Sequence, residues 1–226
     1  MIRALIFDFD GLILDTETPV FRSWQEFYES YGGRLEFSHW GQVVGTVSNE
    51  QDHFGRLEGQ IGYTLDHKML GPLRRQRESE LIQTQPIQPG VQAYLEDARQ
   101  FGLKVGMASS SPCPWVTGHL ERLGLLKYFD SVRARDDVGQ VKPDPELFLT
   151  VLADLGAEPQ EAVVFEDSPI GVQAAKAAGL FCVAVPNPVT RQYSLSQADL
   201  CLESLADLSL KSLIEKVESL ANDSQP

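Results

Sequence analysis

The chain has 226 residues, 42% of them hydrophobic, and a formal net charge of −13 at pH 7, a size that suits one large domain or a core with a smaller insertion. A balance this acidic excludes the basic surfaces that nucleic acid and anionic membranes require. It also obliges any phosphate-binding site to bring local cations: a metal, a lysine, or helix N-termini. The longest uncharged apolar stretch, Leu180 to Val189, is too short to span a bilayer and contains two prolines. Acids enter the first apolar run at Asp8 and Asp10, unlike a signal peptide. Cys113, Cys182 and Cys201 are odd in number and form no CxxC, so they read as reduced thiols of a cytoplasmic protein.

The first element is a buried strand, Ala4-Leu5-Ile6-Phe7, because short continuous apolar runs suit a sheet covered on both faces. From Glu17 to about Ile82 only helical patterns follow. Pro19 suits a first turn, and Phe21, Trp24, Phe27, Tyr28 and Tyr31 recur at helical spacing before Gly32-Gly33. Ser48 with Gln51 forms a capping-box pattern, and a third helix runs from about Asp66 to Gln83, with a bend expected at Pro72. Arg74, Arg75 and Arg77 in it read as a solvated helix face.

Beyond Pro89 helix and strand alternate. Val91 to Phe101 is a helix, Leu103 to Ala108 a strand, and Val116 to Leu123 a helix ended by Gly124. A short strand follows near Phe129 to Val132, then a helix from Pro145 to Leu155. Ala162 to Phe165 is a strand, after which Ser168 as N-cap and Pro169 at N1 start a helix that stops at Gly179. Phe181 to Val185 is the last strand and Leu205 to Leu220 the last helix. This rhythm specifies an α/β fold: a Rossmann-like doubly wound parallel sheet, residues 1–16 and 84–226, with an inserted all-helical domain at 17–83.

In such sheets ligands bind beyond the carboxyl ends of the strands. Three strand ends here carry polar groups: Asp8 and Asp10, then Ser109 and Ser110, then Glu166 and Asp167. Asp8 and Asp10, two apart on extended chain, can point the same way, and Gly11 then permits a sharp turn. Paired carboxylates repel unless a cation or a proton neutralises them, conditions that suit phosphoryl transfer with Mg²⁺. Asp8 could attack phosphorus without a separate base, and Asp10 could protonate the leaving oxygen and later deprotonate water. Asp8 and Asp167, with Glu166 beside the latter, are the candidate Mg²⁺ ligands. Ser109 could hold phosphoryl oxygens, and Lys142 is the local cation that the charge balance demands. Thr16, Thr46, Asn49 and Ser110 are the candidate substrate contacts.

Asp8-Phe9-Asp10-Gly11 through Glu17, Ser109 in Met-Ala-Ser-Ser-Ser, Lys142 in Val-Lys-Pro-Asp-Pro, and Phe165-Glu166-Asp167-Ser168-Pro169 through Gly179 together resemble the four motifs of the haloacid dehalogenase-like hydrolase superfamily. The resemblance covers nearly the whole chain. It implies a helical cap between motifs one and two, an aspartyl-phosphate at Asp8, acid/base work by Asp10, and Mg²⁺ held by Asp8, Asp167 and the Asp10 carbonyl. The branch it is most similar to holds β-phosphoglucomutases and sugar-phosphate phosphatases. The mutases carry a histidine where this chain has Val20 and a cap arginine where it has Asn49, and asparagine cannot replace an arginine's charge on a second phosphate. A Mg²⁺-dependent phosphatase of small phosphate esters, sugar phosphates foremost, is therefore expected, ahead of a mutase or a non-catalytic binding protein. Dehalogenases lack the second aspartate, and the one cap lysine, Lys68, has no Schiff-base context. A monomer is compatible with this reading.

Overall fold

The computed structural model describes residues 1–37 and 50–223, the last three of them by backbone alone. They divide into two compact units, one of residues 1–14, 87–187 and 194–226, the other of residues 15–86 and 188–193. Among the described residues no helix is long and apolar enough to cross a membrane.

The first unit is built on six parallel strands: β1 (Ala4–Phe7), β2 (Lys104–Ala108), β3 (Ser131–Arg133), β4 (Ala162–Glu166), β5 (Phe181–Ala184) and β6 (Leu200–Cys201), in the order β3-β2-β1-β4-β5-β6. β1 lies in the middle, with Phe7 level with Met107 of β2 and Phe165 of β4. All four of its residues are buried, as its unbroken apolar run requires when both faces are covered.

Side-chain alternation divides the strands between two layers. Ala4, Ile6, Val164 and Cys182 pack on one side with Phe148, Val151 and Leu152 of α6 (Glu146–Leu155) and Val172 and Ala175 of α7 (Pro169–Ala177). Gly106 of β2 lets α6 approach closely: a Cβ there would overlap the Val151 side chain. On the other side Phe7 stacks on Phe165 at 4.7 Å, and Phe165 meets the Tyr94 ring of α4 (Val91–Gln100) edge-on at 5.6 Å. Two further helices, α5 (Cys113–Arg122) and α8 (Leu210–Asp223), complete this unit.

The structure refines three expectations here. The last helix starts at Leu210, because Ser204 caps a separate 3₁₀ turn at Leu205–Asp207. The pair of residues in β6 was not anticipated, since two residues carry no readable alternation. Pro188–Tyr193, within the expected core range of 84–226, groups with the helical unit, where Val189 joins its apolar cluster.

In that unit α1 (Glu17–Ser30), α2 (Glu50–Ile61) and α3 (His67–Gln83) pack around Trp24, Tyr28, Phe54, Leu57 and Leu70. The aromatic stripe of α1 is core, and Val20 packs against it. The Asp66 carboxylate caps α3 by accepting from the Lys68 and Met69 amides. The expected Ser48–Gln51 capping box lies partly outside the described residues. The arginine cluster is no uniform solvated face. Arg74 is buried, lies over the Trp24 ring at 4.5 Å, donates to Ser23 at 3.1 Å, and is paired with Glu50 and Glu78. Arg75 pairs with Glu50 and Arg77 with Glu26.

His53, buried against Trp24 with ring centroids 4.6 Å apart, has its pKa held down to about 4 by burial, with Arg56 and Arg74 adding to the effect. The unfolded chain takes this proton near pH 6.5, so it binds more protons than the fold between those values. The stability from keeping His53 neutral is present in full above about pH 6.5 and is lost as pH falls toward 4. Thermal unfolding at pH 7 and 4.5 should show this loss, up to about 3 kcal/mol, and His53→Gln should lose less between the two.

Candidate active site

Each side chain of the candidate site stands at the carboxyl end of a strand or on the loop that leaves it. Asp8 follows β1, and its amide donates to the Phe165 carbonyl at 3.0 Å, so the extended backbone persists one residue past the strand. Gly11, at φ 84°, then turns the chain, its amide donating to the Leu14 carbonyl at 2.8 Å. A Cβ at Gly11 would overlap Asp167 and Asn187, so this turn brings bare backbone against the opposite loop.

Lys142 reaches in from the loop between β3 and α6. Its buried ammonium donates to Asp8 Oδ1 at 2.5 Å, Glu166 Oε1 at 2.6 Å and the Ala108 carbonyl at 2.7 Å, and it lies 4.9 Å from the Phe148 ring centre. These partners use all three of its N–H donors. Glu166 is wholly buried. Its other oxygen accepts from the Asp167 amide at 3.1 Å, the Ser168 hydroxyl at 3.2 Å and the Ser168 amide at 3.4 Å. Ser168 caps α7 by accepting from the Gly171 amide. A Cβ at Gly171 would fall on the Glu166 carboxylate.

Asp8, Glu166 and Asp167 each offer an oxygen, and these oxygens lie within 4.8 Å of one another. Burial pushes the Asp8 carboxyl up to about 8, against the pull of Lys142 and with the charges of Glu166 and Asp10 adding to the rise. Burial by itself would lower the Lys142 pKa, but Asp8 and Glu166 reverse that and raise it, so the lysine stays charged. One ammonium thus faces more carboxylate than it neutralises. A buried, all-oxygen, net negative donor set fits a hard divalent cation.

The Asp10 carboxylate is held differently. Its Oδ2 accepts from the Ser111 hydroxyl at 2.7 Å and the Ser109 hydroxyl at 3.3 Å, and its Oδ1 from the Trp115 indole at 2.9 Å. The Ser109 hydroxyl itself accepts from the Ser111 amide at 3.0 Å.

The structure therefore brings together Asp8, Asp10, Ser109, Lys142, Glu166 and Asp167, with Ser110 half-buried on the loop after β2. Thr16 belongs to the helical unit as the N-cap residue of α1, and Thr46 and Asn49 lie outside the described residues. Sequence reasoning missed Ser111, Trp115 and Asn187. Asn187 is buried and donates to Asp167 Oδ2 at 2.6 Å. For Ser111 a signal existed, the unbroken serine run Ser109-Ser110-Ser111 after β2. Asn187 follows the carboxyl end of β5, where the apolar run gives way to prolines rather than to charged residues.

Two outcomes follow from this geometry. Lys142→Met leaves Asp8 and Glu166 buried without their shared cation and should cost about 3–5 kcal/mol in denaturant unfolding. Asn187→Ala frees an Asp167 oxygen from its partner and should weaken divalent-cation binding about 10–100-fold by calorimetric titration.

Residues 5–185 match the family model of haloacid dehalogenase-like hydrolases. "Putative phosphatase YhcW" of Bacillus subtilis is 47% identical over 219 residues, 97% of this chain and 99% of its own. "Phosphorylated carbohydrates phosphatase" of Thermotoga maritima is 36% identical over 180 residues, 79% and 82% of the two chains. A Thermotoga maritima crystal structure described as a "putative beta-phosphoglucomutase" superposes with TM-score 0.78 at 29% identity, over 95% of this chain and 99% of the other. With its motifs at the ends of the middle strands and its family model matched over most of its length, the chain belongs to the haloacid dehalogenase-like hydrolases.

Proposed function

We propose that this protein is a Mg²⁺-dependent phosphatase of small phosphorylated metabolites, sugar phosphates above all, working through a phosphoryl group carried on Asp8. The observation that carries the reading is the buried contact of Asp8 with Lys142, at the end of the middle strand and beside a second aspartate held by three donors. The relative that acts on phosphorylated carbohydrates supports the substrate class.

In this reading an Asp8 oxygen attacks phosphorus while the bond from phosphorus to the ester oxygen breaks, and Asp10 gives that oxygen its proton. A water then attacks the phosphoryl group and yields its proton to Asp10, releasing phosphate and restoring the Asp8 carboxylate. The balance is one ester and one water consumed, one alcohol and one phosphate formed. Lys142 holds Asp8 in place and offsets negative charge close to it. Asp8 and Asp167, with the Asp10 carbonyl, would hold the metal, and Glu166 fixes Lys142 and the turn into α7. When bound, Mg²⁺ supplies positive charge that keeps Asp8 ionised and offsets charge on the phosphoryl oxygens. Ser109 contributes its hydroxyl close to the phosphoryl group. Thr16, Thr46, Asn49 and Ser110 are the enzyme's substrate contacts in this reading. The enzyme works in the cytoplasm on a small-molecule ester.

A mutase on the same chemistry is the second reading, favoured by the likeness to the Thermotoga maritima structure. Against it, Val20 is spent on packing around Trp24.

Phosphate release from a panel of sugar phosphates, nucleotides and an aryl phosphate should require Mg²⁺ and favour a few sugar phosphates. Asp8→Asn should abolish it, by about 10⁴-fold or more, with the far-UV circular dichroism unchanged. Conversion of β-glucose 1-phosphate to glucose 6-phosphate without net phosphate release would establish the mutase instead.

A further inference from the structure

We propose that Trp115 is a positioning residue for this reaction: its indole N–H fixes the Asp10 carboxylate in the orientation from which it exchanges protons with the ester oxygen and with water. The proposal rests on the phosphatase reading above and deepens it.

The two oxygens of Asp10 have different partners. Oδ2 faces the hydroxyls of Ser111 and Ser109 at 2.7 and 3.3 Å, while Oδ1 faces the Trp115 Nε1 at 2.9 Å. A hydroxyl rotates and can donate or accept, so it follows a proton as it comes and goes. An indole N–H only donates. It therefore keeps Oδ1 as an acceptor in both protonation states and sets the plane of the carboxylate. Without it only the rotatable hydroxyls on Oδ2 would restrain that plane, because the terminal torsion of aspartate is broad.

The indole is itself held. Trp115 lies in the first turn of α5, and its ring meets the His119 ring edge-on at 4.5 Å, one turn along. His119 is buried, accepts at Nδ1 from Arg122 at 3.3 Å, and stacks on Phe9 at 6.1 Å. Phe9 is buried in the chain between Asp8 and Asp10. The indole thus takes its position from the same segment whose carboxylate it orients. Complete burial of the ring does not force the contact, because Trp115 is only half-buried.

Trp115→Phe keeps a ring against His119 and deletes the N–H. With a sugar phosphate, whose alkoxide leaves only when protonated, kcat should fall about 10–100-fold, as expected of a slightly misplaced catalytic group, while KM stays within about threefold. With 4-nitrophenyl phosphate the leaving group needs no proton. The burst of nitrophenolate should then keep its wild-type rate, and the steady phase should slow because Asp10 must still act as base on water. Wild-type kinetics on both substrates, or equal slowing of the sugar phosphate and the nitrophenolate burst, overturns the proposal. Asp10→Asn in the same assays separates the two levels. If it shows the leaving-group pattern and Trp115→Phe does not, only the positioning role fails. If Asp10→Asn itself keeps wild-type rates, the acid/base assignment fails and the proposal with it. Should Trp115→Phe not fold, the indole ¹⁵N–¹H resonances of the protein and of Asp10→Asn decide: one indole signal should move upfield in the variant, and three unmoved signals overturn the contact.

Discussion

Three of the sheet's strands meet at their carboxyl ends around one buried ammonium. Lys142 joins the loop after β3 to Asp8 after β1, to the last carbonyl of β2 and to the last residue of β4. Burying these charges is costly, and only full pairing makes it tolerable. The arrangement is complete on the lysine's side and incomplete on the carboxylates' side. That residual negative charge is what suits the place to a divalent cation, in a chain whose net charge of −13 repels phosphate on average.

The framework that holds the lysine is the ordinary packing of a doubly wound sheet. α6 sits close against β2 because Gly106 has no side chain, and its Phe148 ring lies beneath the Lys142 ammonium. The residues that precede α6 are thereby brought to the strand ends. Asp8 and Asp10 need only one extended residue beyond β1 and one turn at Gly11. Short local instructions and one long-range packing contact are enough to assemble groups from four distant stretches of chain.

How much of this could be read beforehand follows from the same physics. The placement of Asp8, Asp10, Ser109 and Asp167 was legible because strand ends are marked by a change from apolar to polar residues and because parallel strands share a carboxyl edge, whereas Lys142 stood out as the lysine just before a helix start that the charge balance demanded. The N-cap at Ser168 was legible because it is a local hydrogen bond between near neighbours. Trp115 and Asn187 were not, since their roles depend on where a side chain points from a helix turn or a loop, which periodicity does not encode. Arg74 was misread for a related reason: three arginines within four positions look alike in sequence, yet only the one aimed at Trp24 and Ser23 is buried. The two residues of β6 are too few to show any pattern, and the start of α8 was displaced by the 3₁₀ turn before it.

The missing side chain at Gly171 has a consequence for how this site can vary. The Glu166 carboxylate occupies the volume that a methyl group at position 171 would take, in the first turn of the helix that Ser168 caps. Polarity is irrelevant there, because alanine intrudes as surely as lysine does. The position is therefore a single-letter constraint imposed by excluded volume, although its own atoms have no part in the chemistry.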